Sequence, residues 1–163
     1  MQPHAHDILH NELQGFDVYR YTDIHFTFSG DKTRQLTLRL VFCIQAMPDP
    51  ELKLLLGEEI TSLTISVVSF YNIEAEDNSQ CDTLFEKPPE SPDLTASETL
   101  YLYRTLIDII LKIAETESIQ ILTFQAYNEK LRRVYHRLVR KFSTVNNLTA
   151  LVKGACYVIR TNR

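Results

Sequence analysis

Tryptophan is absent from the chain and glycine is scarce, with only Gly15, Gly30, Gly57 and Gly154 among 163 residues. A fold that cradles phosphate on glycine-rich loops has little material here, because such loops need backbone that no Cβ holds away from the ligand. Cysteine is sparse as well. Cys43, Cys81 and Cys156 are odd in number, far apart and without CxxC spacing, which argues against a disulfide framework and a cysteine zinc site and fits a reducing cytoplasm. No apolar run approaches the roughly 20 residues that a membrane helix needs, and no charged-then-apolar leader opens the chain. These absences predict a soluble, cytoplasmic protein with no membrane partner.

What is present is unevenly distributed. The length and a 44% share of hydrophobic side chains suit a single domain spanning residues 1–163 around one sizeable core. Net charge is −4, yet between positions 128 and 142 stand Lys130, Arg132, Arg133, Arg137, Arg140 and Lys141 against the single acid Glu129. That segment holds an excess of five positive charges and the rest of the chain an excess of nine negative ones. Such asymmetry points to an anionic ligand or partner. Acid gathers elsewhere: residues 74–93 carry Glu74, Glu76, Asp77, Asp82, Glu86, Glu90 and Asp93 with Pro88, Pro89 and Pro92, which predicts a mobile acidic loop at about 74–93.

The first half alternates apolar and polar residues with a period of two. Short β-prone runs at 16–21, 24–28 and 36–42 are separated at 29–32 by Ser29-Gly30-Asp31-Lys32, which reads as a tight turn between antiparallel strands. Residues 51–56 read as a short helical turn, and 59–73 as a long or bent β segment. Ahead of these, His4, His6 and His10 sit in a polar N-terminal stretch without a carboxylate or cysteine pattern beside them, so a surface or frayed terminus is expected rather than a metal site.

Thr95-Ala96-Ser97-Glu98 has the form of a capping box. Leu100, Tyr103, Leu106, Ile107, Ile110, Leu111 and Ala114 follow at helical steps, which predicts a helix ended by 115–118. A β-branched run from Ile119 to Tyr127 then meets Asn128, and Leu131, Val134, Tyr135, Leu138 and Phe142 recur at i, i+3, i+4, i+7 and i+11. This places one side of a second helix on the core and turns its arginines outward. With 143–147 as a loop and 156–160 as a closing strand, the reading is α/β (α+β): a mixed, largely antiparallel sheet packed by two main helices.

The helix-strand-helix-strand ending resembles the C-terminal half of the GNAT-type N-acetyltransferases, including the small acetyltransferase-like proteins of bacteria and their phages. In that family the helix after the fifth strand commonly begins with Asn, has Ala three residues on and Tyr seven residues on, and is followed by Gly-Phe. Asn128, Leu131 and Tyr135 occupy the first three places here; the Ala is replaced, and the Gly-Phe is absent although Phe142 follows seven residues after Tyr135. The resemblance implies that Asn128 would contact the arm of acetyl-CoA and that Tyr135 would protonate the departing thiolate as general acid. The family's Gly-x-Gly or Gly-x-Ala at the start of the preceding helix, where bare backbone N–H groups grip the pyrophosphate, is missing from 94–103. The expectation is therefore a GNAT-like domain that has lost acetyl-CoA catalysis, needs no cofactor and binds or inhibits a partner through Arg132, Arg133, Arg137, Arg140 and Lys141.

Two alternatives stand beside it. One is an active N-acetyltransferase using acetyl-CoA; the other is a nucleic-acid-binding protein with Tyr127 and Tyr135 stacking on bases. A pI near 5.7 makes nucleic acid the lesser of these. The implied partner is an acidic protein or another anionic partner, with a homo-oligomer also open. His25 and His136 lack a partner that spacing assigns, Cys43 and Cys156 read as small buried hydrophobes, and Cys81 sits among acids that disfavour its thiolate.

Overall fold

Tyr19–Phe28 (β3) shows how period-two patterning becomes structure: Ile24, Phe26 and Phe28 are buried while His25 and Thr27 between them are only half-buried. The structure is a computed structural model that describes residues 4–10, 12–45, 64–73, 94–125, 129–146, 149–153 and 156–160. Its remaining strands are β1 (His4–Ile8), β2 (Gln14–Phe16), β4 (Arg34–Gln45), β5 (Ile65–Asn72), β6 (Ile121–Gln125), β7 (Thr149–Lys153) and β8 (Cys156–Arg160). Among the described residues its helices are α1 (Ala96–Thr116) and α2 (Glu129–Asn146). These form a mostly antiparallel open sheet of seven strands, with short β2 added against β3, and two helices: an α+β architecture, as the sequence predicts. The segment 74–93, the short turn at 51–56, Tyr127 and Asn128 lie outside the described residues.

The chain divides into two compact units, Met1–Val41 with Ser69–Thr105 and Phe42–Val68 with Leu106–Arg163. In the first, β1 pairs antiparallel with the C-terminal half of β3, from His4 opposite Phe28 to Ile8 opposite Ile24, so His4 and His6 are strand residues at the surface rather than a frayed end, and His10 follows the strand. β2 takes the other half of β3, Gln14 opposite Tyr21 and Phe16 opposite Tyr19, across a turn in which Asp17 adopts φ +58°. Gly15 has φ +92°, and a Cβ there would collide with the Tyr19 carbonyl oxygen, so this glycine is required by both conformation and space.

The N-terminus of α1 is fixed by the predicted capping box. The Glu98 backbone N–H donates to Thr95 Oγ1 (3.2 Å), and the Thr95 N–H donates to Glu98 Oε1 (2.9 Å). Arg34 reaches the same carboxylate with both terminal nitrogens, Nη1 donating to Oε1 at 2.7 Å and Nη2 to Oε2. Glu98 is thereby pinned inward at 3% exposure, and the rotation of the helix follows. Leu102, Thr105, Leu106 and Ile109 share its side and are buried, whereas Leu100, about 200° around the helix from Glu98, is 43% exposed and lies off the apolar stripe in which its spacing places it.

In the second unit α1 closes with a Schellman motif. The Ile119 N–H donates to the Ala114 carbonyl (2.8 Å) and the Ser118 N–H to Glu115 (3.3 Å), with Ser118 in the left-handed region at φ +56° and Ile119 and Ala114 both buried. The chain then enters β6 beside β5. Thr64 O accepts from the N–H of both Gln120 (3.0 Å) and Ile121 (3.1 Å), and the Thr64 N–H donates to Gln120 Oε1 (2.9 Å). This clasp sets the parallel register, Ile65 opposite Ile121 through Val67 opposite Thr123. A parallel pair needs a crossover, and α1 supplies it. β8 lies antiparallel on β6, and β7 pairs outside β8. β7 and the continuation of α2 to Asn146 replace the loop expected after 142, because 143–146 add another helical turn before the hairpin.

Candidate functional site

The basic face is built on α2 by its own periodicity. Tyr135, Leu138 and Val139 are buried, and Arg132, Arg133, His136, Arg137 and Arg140 are exposed, with Lys141 half-buried. At 100° per residue the exposed residues fall in one sector about 140° wide, running from Arg132, which borders buried Val139, to Arg137 on the far side from Tyr135. Two rows result: Arg132, His136 and Arg140 at i, i+4, i+8, and Arg133, Arg137 and Lys141 beside them. Glu129 Oε2 lies 4.0 Å from Arg132 Nη1, an exposed i,i+3 pair of the kind that contributes only about 0–1 kcal/mol. The predicted partner-binding residues therefore lie on one helix and spread over about half its circumference, from Arg132 to Lys141.

Tyr135 stands at the centre of the buried side with 0% exposure, its ring 5.5 Å from that of Phe124 and tilted by 49°. That is the geometry of an aromatic anchor that fastens α2 to β6. Asn128, the other residue drawn from the acetyltransferase resemblance, lies outside the described residues.

The α1 N-terminus is where the resemblance would place the pyrophosphate of acetyl-CoA. The backbone N–H groups of Thr95 and Glu98 are already taken by the capping box, and a buried carboxylate stands among them. Its pKa is held below the ordinary glutamate value, first by hydrogen bonding from Arg34, with burial opposing and the Thr95 backbone bond assisting. Two N–H groups at this helix start are thus engaged within the chain, and the carboxylate that accepts from Thr95 is itself paired with Arg34.

A second polar cluster lies in the first unit. Asp23, 6% exposed, accepts from Arg39 Nε (2.8 Å) and Nη2 (3.0 Å), with His10 Nε2 at 3.6 Å, and the Arg39 guanidinium carbon sits 4.2 Å from the Tyr21 ring centroid. This arrangement neutralises itself and leaves no net charge to offer. His25 Nδ1 and Thr37 Oγ1 are 2.9 Å apart, a partner for His25 that linear spacing could not reveal because it arises across β3 and β4. On the opposite side of β1, His6 Nδ1 lies 2.6 Å from the Tyr101 hydroxyl and His4 Nε2 3.4 Å from Ser97 Oγ, both rings among Phe26, Phe28 and Tyr101. Among the described residues no three His, Cys, Asp or Glu side chains are grouped to hold a metal ion. Cys43 is half-buried, and burial pushes its thiol pKa up, which opposes nucleophilic use.

Comparison of the chain with protein-family models, with curated proteins and with solved structures finds no match in any of the three. The fold and site thus define an α+β protein with a cationic helix on display. Among the described residues no helix is long and apolar enough to cross a membrane.

Proposed function

We propose that the chain is an acetyltransferase-like domain that does not carry out acetyl-CoA chemistry and serves as a binding or inhibitory module through the basic face of α2. The observation that carries this reading is the segregation on α2 itself: arginines at 132, 133, 137 and 140 are exposed in one sector of the helix, and Tyr135, Leu138 and Val139 are buried in another. Strongly charged faces of this kind steer and orient an oppositely charged partner. The α+β succession of β5, α1, β6, α2 and a terminal antiparallel strand supports the acetyltransferase-like part of the reading. The occupied capping box at Glu98 supports the loss of cofactor binding. So does Tyr135, whose ring is accounted for by packing on Phe124.

Calorimetry with acetyl-CoA tests the catalytic half, with no heat of binding expected at micromolar cofactor; saturable binding lost in Tyr135→Phe and Asn128→Ala would make the chain an active N-acetyltransferase instead. For the docking half, the chain and an Arg132→Ala/Arg133→Ala/Arg137→Ala triple variant are immobilised and exposed to native cytoplasm. Recovery of the same partners by both would remove α2 as the binding surface.

A further inference from the structure

We infer that β3 carries a binding site for a small carboxylate, built on Arg20 and Thr22 in the first unit. Three observations carry it. First, no acid answers the half-buried guanidinium of Arg20. Arg34 is forked onto Glu98 and Arg39 onto Asp23, whereas Arg20 is held by a neutral acceptor, its Nη2 donating to the Leu13 carbonyl oxygen at 3.1 Å. Of the acids nearest to it in the chain, Asp23 is committed to Arg39, and Asp17 and Glu12 are exposed. Among the described residues none forms an ion pair with Arg20. A charge withdrawn from water is costly until an opposite charge meets it.

Second, two hydrogen-bonding groups stand unused there. Arg20 Nε and Thr22 Oγ1 are both shut off from water, and neither has a hydrogen-bond partner. Thr22 as a whole is 2% exposed. Buried polar groups in folded proteins are nearly always bonded, so a pair of orphans calls for an acceptor from outside the chain. Positions i and i+2 of a strand face the same way, which puts both groups on one side of β3.

Third, the neighbouring strand offers a way in. Gly15 stands directly opposite Arg20 on β2, is exposed and places no side chain across from the guanidinium. β2 is three residues long and pairs with β3 alone, so it is an element that yields easily when a ligand enters. A carboxylate supplies what is missing. It brings the single negative charge that one guanidinium leaves unbalanced, and two oxygens, one for Arg20 Nε–H and one for the Thr22 hydroxyl.

The test follows thermal unfolding of the intact chain at neutral pH while sodium acetate replaces sodium chloride at constant ionic strength, with sodium phosphate as a parallel series. Acetate is expected to raise Tm saturably, by about 3–5 °C at a tenfold excess over its Kd. Arg20→Gln should remove the rise. Thr22→Val should weaken acetate binding about tenfold while leaving the Tm in chloride unchanged or higher, because it deletes an unsatisfied hydroxyl, and Thr22→Ser should restore binding. Circular dichroism checks that each variant is folded, and if Arg20→Gln is not, the two Thr22 variants decide. No rise over chloride overturns the inference. So does a rise that is linear in acetate and kept by Thr22→Val, which is the general effect of an excluded salt and means an adventitious ion only. A larger saturable rise in phosphate overturns the choice of a carboxylate.

Discussion

Glu98 concentrates more structure than any other single side chain described: it caps α1, pairs with Arg34 and fixes which residues of the helix face inward. Removing one partner of a buried pair leaves the other uncompensated, and Glu98→Ala is expected to lower the unfolding free energy by about 2–4 kcal/mol in urea titrations, combining the lost cap with a partly solvated arginine. Its pH signature has a definite sign. Because the folded-state pKa is lowered, the stabilisation is complete above the ordinary glutamate value and is lost as pH falls through the lower folded value. Wild type should therefore lose stability more steeply on acidification than Glu98→Gln, which can be followed by thermal melts on the acid side of pH 5. Backbone conformation yields two further expectations. Ser118→Gly relieves a left-handed residue at the helix C-terminus and should stabilise by about 0.5–1 kcal/mol, while Gly15→Ala should destabilise by about 1–3 kcal/mol, both measurable as shifts in denaturant midpoint.

At the level of elements, α2 separates stability from binding. Tyr135→Ala removes a fully buried ring and is expected to cost about 3–5 kcal/mol, whereas substitutions at Arg133 and Arg137 should stay within about 0.5 kcal/mol because both side chains are exposed. The same contrast shows what the sequence could reveal. The α2 periodicity, the 95–98 capping box, the closing strand at 156–160 and the arginine face were legible because each depends on neighbours within a few positions in the chain. The inward face of α1 is likewise legible from Leu106 to Ala114, but the exposure of Leu100 is not, since Glu98 is held inward by Arg34, 64 positions away in sequence. Leu100 was assigned to the wrong face for that reason. β1 is not legible because in His-Ala-His-Asp-Ile the rings that pack on Phe26, Phe28 and Tyr101 are histidines, while Ile8 is exposed. The Asp23–Arg39 and His25–Thr37 contacts depend on register between strands, which period-two reading leaves open.

For the whole molecule, the two compact units are traversed by the same continuous elements, β4, β5 and α1, so neither unit has a complete set of its own strands and helices. Urea unfolding should accordingly appear as one transition, superimposable when followed by far-UV circular dichroism and by tyrosine fluorescence, which is usable because tryptophan is absent. Two separated transitions would mean that the elements can break at their midpoints.

β1 stands at one end of the strand order, so among the described residues no strand covers its outer backbone. Unpaired main-chain donors and acceptors along such a rim invite strands from other molecules, and proteins defend rims with charge. Here the defence rests on Asp7, the charged side chain of β1, which is exposed. Removing that charge with Asp7→Asn should consequently let strand-to-strand oligomers form at lower protein concentration than in wild type, read by light scattering.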